Sequence, residues 1–224
     1  MSDGVERAKE TAALSAASHV YDGDVVGLGT GSTAALVIER LGARVDNGLD
    51  IVGIPTSLQS RQLALSAGIP LTMLSEETPT VAIDGADQVV GRTLIKGGGA
   101  AHTREKVVAT AADRFMVVCD ESKRSDALDH PLPVEVLPHA HSTVTEAIAG
   151  LGGDATPRMN SSGCLLFTEQ GNIILDCDFG RIEDPDMVGP TINSIPGVVE
   201  HGLFYEMADE IHWGREEYGR IDRF

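Results

Sequence analysis

The chain has 224 residues, of which 42% are hydrophobic, so it is long and apolar enough for one large domain, alone or with a small companion. Its formal net charge is −17 at pH 7, which argues against nucleic acid or an anionic membrane as a partner, because both require a basic protein surface. Apolar stretches stay short of the roughly 20 residues that cross a bilayer, and residues 1–10 lack a signal-peptide pattern. The expected location is therefore the cytoplasm.

The choice of cationic residues and the spacing of the cysteines indicate the environment in which the protein works. Arginine supplies most of the positive charge, and an acidic, lysine-poor composition is typical of proteins adapted to high salt. Cys119, Cys164 and Cys177 are odd in number and widely spaced, which predicts three reduced, mostly buried thiols rather than disulfides or a zinc site. The four lysines are Lys9, Lys96, Lys106 and Lys123.

A glycine-rich turn follows the first predicted strand. Residues 5–19 are alanine-rich with apolar residues at helical spacing, and Val25–Leu28 form a short buried strand. The next residues, 29–33, read Gly-Thr-Gly-Ser-Thr and lead into a predicted helix that ends near residue 44. A strand, a glycine-rich turn and a helix place backbone N–H groups and hydroxyls around a phosphate.

Three kinds of site are compatible with this turn. Gly27, Gly29 and Gly31 resemble the glycine motif of nucleoside-dependent methyltransferases, and a dinucleotide fingerprint would require a third glycine where Ser32 stands. Both classes usually need an acid at the end of the next strand to hold ribose, but the predicted strand 50–54 ends in Pro-Thr-Ser. A terminal phosphate therefore fits better than a nucleoside, and a plain tight turn remains the structural alternative.

Strands and helices then alternate, which predicts a mainly parallel sheet covered on both faces. The carboxyl ends of parallel strands share one edge of the sheet, where ligands bind. We therefore expect residues 30–33, 84–87, 96–99 and 120–123 to lie along the same edge. The predicted elements are a helix at 58–67, strands at 70–74, 80–83 and 93–95, a helix at 103–113 and a strand at 115–119.

The pattern changes near residue 128, which indicates a second domain. Its predicted order is strand, helix, strand, strand, helix, strand, the order of a ferredoxin-like α+β module. The predicted domains are 129–206 for this module and 1–128 plus 207–224 for the first, Rossmann-like domain, with a last strand at 209–213. His139 and His141 have no third ligand nearby and are interpreted as surface-loop residues. The elements are an extended segment at 133–138, helices at 142–149 and 185–194, and strands at 165–168, 173–178 and 198–206.

The stretch 80–106 holds the residues expected of a catalytic site. Asp84 and Asp87 follow an apolar run, Lys96 ends a second run, and a triple glycine leads into a helix whose first turn carries Glu105. Gly97, Gly98 and Gly99 have no Cβ, so their N–H groups can approach a ligand closely. Each acid also has a structural alternative, an Asx-turn for Asp84 and Asp87 and a complement to the helix dipole for Glu105.

Several stretches together resemble the type A ribose-5-phosphate isomerases over nearly the whole chain. They are GLGTGSTA, AIDGADQV, LIKGGGAAHTREK, VVCDESK, PLPVEVLP, GNIILD and IPGVVEHGLF. The resemblance implies an enzyme without metal or cofactor, which interconverts ribose 5-phosphate and ribulose 5-phosphate in the pentose phosphate pathway. It also implies a homodimer or homotetramer.

The resemblance also assigns roles to residues. The catalytic base falls on Glu105. The residue chemistry in turn makes Lys96 the group that faces the developing oxyanion, and Asp84 and Asp87 the catalytic residues that hydrogen-bond the sugar hydroxyls and assist ring opening. Gln88 departs from the family pattern, where Glu is frequent, and His102 occupies a position that is often apolar; we expect His102 to pack in the interior. The implied substrate contacts are Thr30, Gly31, Ser32, Thr33, Asp84, Gly85, Ala86, Asp87, Lys96, Gly97, Gly98, Gly99 and Lys123.

Two other functions share this architecture. A sugar-phosphate sensor would keep the phosphate loop but would not need a base, and an aminosugar-phosphate deaminase would need an acid-base relay around a histidine. The presence of both Lys96 and Glu105 favours an isomerase over a sensor, and no histidine in the sequence is placed for the deaminase relay.

Overall fold

The structure is a computed structural model that describes residues 2–215 and 218–224, with side chains from residue 4 onward. The density of internal contacts divides the chain into two compact units. Unit 1 comprises Met1–Ala86, Arg104–Arg124 and Met207–Phe224, and unit 2 comprises Asp87–Thr103 and Ser125–Glu206. Unit 2 defined in this way contains residues 87–103 and 125–128 in addition to the predicted module 129–206. The two divisions are therefore different, and the domain boundary at 128/129 remains a prediction.

The helices and strands are numbered along the chain. The helices are α1 Ser2–Ala17, α2 Ser32–Val45, α3 Leu58–Ser66, α4 His102–Ala111, α5 His141–Gly150 and α6 Pro185–Asn193. The strands are β1 Val25–Leu28, β2 Val52–Pro55, β3 Val81–Asp84, β4 Gln88–Val90, β5 Thr93–Ile95, β6 Phe115–Asp120, β7 Leu132–Val136, β8 Asp154–Pro157, β9 Ile173–Asp178, β10 Val198–His201, β11 Leu203–Phe204, β12 Glu210–Gly214 and β13 Gly219–Arg223.

Unit 1 is built on a sheet with the strand order β13-β12-β6-β3-β1-β2. All neighbouring strands in it are parallel except β12 and β13. Strands β1, β2, β3 and β6 are short, almost continuous apolar runs, as expected for strands buried on both faces. Helices α1 and α2 pack on the core, to which they contribute Ala13, Ala16, Val37, Ile38 and Leu41. The predicted α/β class with a mainly parallel sheet is confirmed.

Unit 2 contains an antiparallel sheet with the order β10-β7-β9-β8. Its elements follow the chain as β7, α5, β8, β9, α6 and β10, so the predicted ferredoxin-like order is present. Apolar residues of β7, β9, α5 and α6 form its core, including Val134, Val144, Leu175 and Ile192. A second, three-stranded antiparallel sheet has the order β11-β5-β4.

Two of the predicted strands are wrong. In the segment 70–74 only Leu71 bridges to a strand, at Gly53, because the chain turns at once, with the Glu76 N–H bonded to the Met73 carbonyl. In the segment 165–168, Leu165 and Phe167 make only isolated bridges. The strand beside β9 is instead β8, whose Asp and Pro residues are depleted in strands and concealed it.

Four further elements differ from the sequence predictions. The predicted strand 198–206 is divided at Gly202 into β10 and β11, which belong to different sheets. A Cβ at Gly202 would lie 1.9 Å from the Lys96 carbonyl oxygen, so this close approach of two backbones requires glycine. Strand β5 lies in the small antiparallel sheet rather than in the parallel one, and β4 and β13 were not predicted.

The remaining predictions concern single residues and the membrane. Cys119 and Cys177 are buried and Cys164 is exposed, all three as free thiols, and burial together with Asp176 and Asp154 raises the pKa of Cys177 to about 12. His102 is fully buried, as expected. Within the described ranges, none of the helices is both long and apolar enough to cross a membrane.

Candidate active site

The glycine-rich turn after β1 is held against the end of β3. The Gly29 N–H donates to the Ile83 carbonyl at 2.9 Å, and the Thr30 N–H donates to Asp84 Oδ1 at 3.1 Å. A Cβ on Gly29 would lie 2.2 Å from the same carboxylate oxygen. The absence of a side chain at Gly29 therefore allows Asp84 to reach the turn, and a carboxylate fixes the conformation of the loop.

Helix α2 begins directly after this turn and presents its first N–H groups. Its N-cap residue is Gly31, with φ 115°, and no side chain among the described residues caps the helix there. The N–H groups of the first turn lack acceptors inside the helix, and the helix dipole adds positive character to this end. The hydroxyls of Ser32, which is exposed, and Thr33, which is half-buried, belong to the same turn.

Sequence reasoning missed a group of hydroxyls beside the turn. Thr30 Oγ1 lies 2.8 Å from Thr56 Oγ1 and donates to Ser57 Oγ at 2.7 Å. Thr56 and Ser57 follow β2 directly and are 2% and 4% exposed. Ser57 also caps α3 by accepting from the Ser60 N–H. The only signal in the sequence was the Thr-Ser pair after the predicted strand 50–54, which does not indicate a partnership with Thr30.

Asp84 ends β3 as a buried carboxylate, 3% exposed. Besides the Thr30 N–H, its Oδ1 accepts from the Gly85 N–H at 2.8 Å. The Gly85 N–H is one residue on, whereas an Asx-turn uses the N–H two residues on, so the Asx-turn stays a prediction. One oxygen is thus used to shape the loop, and the turn continues through Gly85 and Ala86, both half-buried.

Glu105 lies in the first turn of α4 and is 4% exposed. One turn further along this helix, Val108 Cγ1 lies 2.6 Å from the position that a Cβ on Gly27 would take. The glycine in β1 therefore lets α4 pack close to the parallel sheet. A carboxylate this deeply buried on a helix is unusual, and a helix-dipole role alone would leave it exposed.

Lys96 and the triple glycine form a loop in unit 2, named here the Lys96 loop (residues 96–99). Lys96 is 3% exposed, its Nζ lies 5.4 Å from the centre of the Phe204 ring, and its N–H donates to the Gly202 carbonyl at 2.8 Å. Gly97 has φ +113° and is buried, and a Cβ there would lie 2.7 Å from His102 Nδ1. The lysine is thus held by backbone and by an aromatic ring.

Asp87 belongs to the same unit and binds the Lys96 loop. Its Oδ2 accepts from the Gly98 N–H at 2.8 Å, and its own N–H donates to the Ile95 carbonyl at 2.8 Å. Gly98 and Gly99 are exposed, so their backbone is accessible to a ligand. The structure therefore joins two of the predicted site residues, Asp87 and Gly98, directly.

Some predicted residues are not joined to the others by hydrogen bonds. Lys123 is half-buried in a 3₁₀ turn after β6, and within the described chain no hydrogen bond links it or Ser32 to another predicted site residue. Lys9 pairs with Glu6 at 2.9 Å. No cluster of three or more His, Cys, Asp or Glu suited to a metal occurs among residues 4–215 and 218–224.

The fold and these contacts define an α/β protein with glycine-rich turns at strand ends and buried charged groups beside them. The family model for ribose 5-phosphate isomerase A (phosphoriboisomerase A) matches residues 52–218. The ribose-5-phosphate isomerase A of Natronomonas pharaonis is 56% identical over 218 residues, 96% of each chain. The chain belongs to the ribose 5-phosphate isomerase A family.

Solved structures agree with this assignment. Ribose 5-phosphate isomerase A from Methanocaldococcus jannaschii superposes with a TM-score of 0.93 at 41% identity, covering 96% of this chain and 98% of that one. A D-ribose-5-phosphate isomerase in complex with phospho-erythronic acid gives a TM-score of 0.95 at 40% identity, covering 98% and 99%. The chain therefore shares its fold with these proteins over nearly its full length.

Proposed function

We propose that this protein is an aldose-ketose isomerase that interconverts D-ribose 5-phosphate and D-ribulose 5-phosphate without a metal or cofactor. The observation that carries the proposal is the burial of three charged side chains in a chain of this family. Asp84, Lys96 and Glu105 are 3%, 3% and 4% exposed, and buried charges concentrate at functional sites because burial is otherwise costly.

These residues are also close to one another along the chain. The chain passes from unit 1 to unit 2 between Ala86 and Asp87, and it returns between Thr103 and Arg104. Asp84 and Asp87 are three positions apart, so their Cα atoms are at most about 11 Å apart. Glu105 follows the return by one residue. The proposal therefore rests on residues that lie within one short span of the chain, 84–105.

The proposed reaction moves a proton between neighbouring carbons. Glu105 removes the proton from C2 of the open-chain aldose, and the electron pair of that bond forms the C1–C2 double bond of an enediolate as charge develops on O1. The same carboxyl group returns the proton to C1, while the O2 proton moves to O1, which gives the ketose. General base catalysis of this kind contributes about 10²- to 10⁴-fold.

Lys96 is proposed to face the developing oxyanion, and a preorganised donor of this kind contributes about 3 kcal/mol. The ring of Phe204 beneath the ammonium and the backbone bond at its N–H fix its position. Asp84 and Asp87 are proposed to bind the sugar hydroxyls and to assist ring opening. Each aspartate uses one carboxylate oxygen to hold a neighbouring loop. Asp84 accepts from the Thr30 N–H and Asp87 from the Gly98 N–H.

The 5-phosphate is proposed to bind at the N-terminus of α2, where Thr30, Gly31, Ser32 and Thr33 supply N–H groups and hydroxyls, with Lys123 as a further cation. A phosphate anchor remote from C1 and C2 provides binding energy that positions the reacting carbons. We also propose that the protein acts in the cytoplasm as a homodimer or homotetramer, which light scattering after size-exclusion chromatography would test.

The direct test compares the wild-type protein with Glu105→Gln in ribulose 5-phosphate formation, in high-salt buffer with a chelator. We expect turnover that survives the chelator, and a loss of about 10³-fold or more in kcat for the variant, with ribose 5-phosphate still bound. The Glu105→Gln change replaces the carboxylate by an amide of the same size, so it keeps the packing and removes the base.

The exposed residue Glu39 on α2 provides a matched control, because Glu39→Gln makes the same chemical change away from the proposed site. Wild-type protein that binds ribose 5-phosphate without converting it would instead indicate a sensor or a different substrate. Activity retained by Glu105→Gln would remove Glu105 from the role of base.

A further inference from the structure

Arg158 joins the ferredoxin-like sheet to the Lys96 loop. It directly follows β8, and its side chain is 16% exposed. Its Nε donates to Asp176 Oδ2 at 2.9 Å, and its Nη2 donates to Asp176 Oδ1, so the guanidinium and the carboxylate form a bidentate pair. The third nitrogen, Nη1, points away from this pair and donates to the carbonyls of Gly97 at 2.6 Å and Gly98 at 3.2 Å.

These two carbonyls determine the direction of two N–H groups. In a trans peptide the C=O and the N–H point in opposite directions. The Gly97 carbonyl belongs to the peptide group that carries the Gly98 N–H, and the Gly98 carbonyl belongs to the one that carries the Gly99 N–H. Because both carbonyls are directed at Arg158, both N–H groups point away from it, and the Gly98 N–H meets Asp87 Oδ2 at 2.8 Å.

Local backbone contacts supply part of this arrangement, since the Ala100 N–H also donates to the Gly97 carbonyl at 3.0 Å, but the glycines themselves resist little. Three consecutive glycines have the largest backbone freedom of any tripeptide, and Gly98 and Gly99 are exposed. No side chain of the loop beyond Lys96 can anchor it. The Arg158 guanidinium adds a side-chain constraint on both carbonyls, and Asp176 orients the guanidinium, since both of its oxygens are engaged by the fork.

The charge of Arg158 also acts on these peptide groups. A cation that accepts electron density from a carbonyl oxygen makes the N–H of the same peptide a stronger donor, as in any chain of polarised hydrogen bonds. A lysine could supply the charge at one point, but it could not hold Asp176 with two donors while a third reaches the loop.

We propose that Arg158 is a positioning residue of the isomerase, which orients and polarises the peptide groups that carry the Gly98 and Gly99 N–H groups beside Lys96. This rests on the proposed function, because those N–H groups serve the reacting end of the sugar, through Asp87 at Gly98 and directly at Gly99. Arg158 itself does not touch the substrate. Its effect belongs to kcat, since the phosphate anchor at α2 is a separate part of the chain.

The test uses Arg158→Gln and Arg158→Lys, with Arg181→Lys as a matched control, because Arg181 forms an exposed pair with Glu183 in the same unit. Misplacement of reacting groups by about 1 Å costs about 10²-fold, so we expect Arg158→Gln to lose about 100-fold in kcat with KM changed less than about threefold. Arg158→Lys is expected to recover part of this loss, and Arg181→Lys to match the wild-type protein.

Two further measurements separate positioning from folding and from the proposed function. Calorimetric titration with phospho-erythronic acid should show weaker binding to Arg158→Gln, whereas inorganic phosphate binds as to wild type. The Gly98 amide proton, measured by NMR in the free protein, should exchange faster in Arg158→Gln than in Arg181→Lys, whether or not the enzyme turns over.

The possible outcomes are distinct. Unchanged kcat in Arg158→Gln, or unchanged Gly98 exchange, overturns the positioning role. A fall in kcat that accompanies a lower unfolding temperature and disappears when the assay is cooled is a different result. That result also overturns the positioning role, because it shows that Arg158 contributes to stability alone. If the Gly98 amide proton exchanges faster in Arg158→Gln but the wild-type protein has no isomerase activity, the anchoring of the loop is supported. The proposed function is contradicted in that case.

Discussion

Ser32 and Lys96 differ in burial, and their proposed roles predict different kinetic changes. Ser32 is exposed at the start of α2, whereas Lys96 is 3% exposed. We expect Ser32→Ala to raise KM more than it lowers kcat, because it removes a phosphate contact far from the reacting carbons.

We expect Lys96→Met to lower kcat by about 10²- to 10³-fold with a smaller change in KM. Steady-state kinetics with ribose 5-phosphate measure both.

In Lys96→Met the methionine side chain preserves packing against Phe204. The expected loss in kcat therefore reports the missing charge rather than a cavity. Lys106→Met on α4 is the matched control for Lys96→Met, and Ser18→Ala is the control for Ser32→Ala. An unchanged KM in Ser32→Ala contradicts the phosphate role of Ser32. Turnover near that of the wild-type protein in Lys96→Met contradicts the oxyanion role of Lys96.

The packing of α1 on β12 contains a buried histidine that makes stability depend on pH. His212 is fully buried, its Nδ1 lies 2.8 Å from Ser15 Oγ, and its Nε2 lies 3.2 Å from Glu210 Oε2. Burial, and next the neighbouring His19, lower the pKa of His212 from 6.5 to about 4. Burial would raise the pKa of Glu210, but the charges of Arg114 and Arg223 outweigh it and the pKa is lowered.

The sign of the pH effect follows from proton binding. Between pH 6.5 and about 4 the unfolded state binds a proton at position 212 that the folded state does not, so the free energy of unfolding falls as the pH falls. The His212 contribution amounts to at most about 3 kcal/mol over that window. Glu210 acts in the same direction at lower pH, because its folded-state carboxyl resists protonation.

We therefore expect His212→Gln to show a shallower loss of stability than wild type between pH 6.5 and 4, because the titrating group is gone. Urea unfolding at fixed salt over this range measures the difference. The exposed residue His139 provides the control, since His139→Gln should retain the wild-type slope. Equal slopes for wild type and His212→Gln would show that His212 is not the group responsible.

The charge of the whole molecule predicts a dependence on salt. The formal net charge is −17, several relatives of this chain come from halophilic archaea, and like charges repel in the compact state. The screening length falls from about 10 Å at 0.1 M salt to about 3 Å at 1 M. We expect the free energy of unfolding to rise as KCl increases over this range.

The same screening reduces the long-range repulsion of an anionic sugar phosphate, so we also expect KM for ribose 5-phosphate to fall when KCl rises from low concentration. Sucrose at equal osmolality is the control, because it stabilises compact states without screening charge. A free energy of unfolding that is independent of KCl, or that rises equally in sucrose, would contradict the electrostatic explanation.

The sequence by itself determined the features that depend on short-range patterns. Apolar runs followed by glycine located β1 and its glycine-rich turn, and the alternation of strands with helices predicted the mainly parallel sheet. The DGAD and KGGG stretches identified Asp84, Asp87, Lys96 and Glu105 as candidate site residues, because acids, a base and glycines lie within one short span of the chain. The order of elements after residue 128 predicted the ferredoxin-like unit.

Only the tertiary structure decided which of these residues touch and what supports them. The hydrogen bond from Arg158 to the Gly97 carbonyl joins residues 61 positions apart, and the Thr30 hydroxyl meets Ser57 across 27 positions. Local patterns carry no information about such contacts. The division of 198–206 at Gly202 likewise follows from the approach of the Lys96 backbone, and β8 pairs with β9 despite a sequence that disfavours strands, because tertiary pairing outweighs intrinsic propensity.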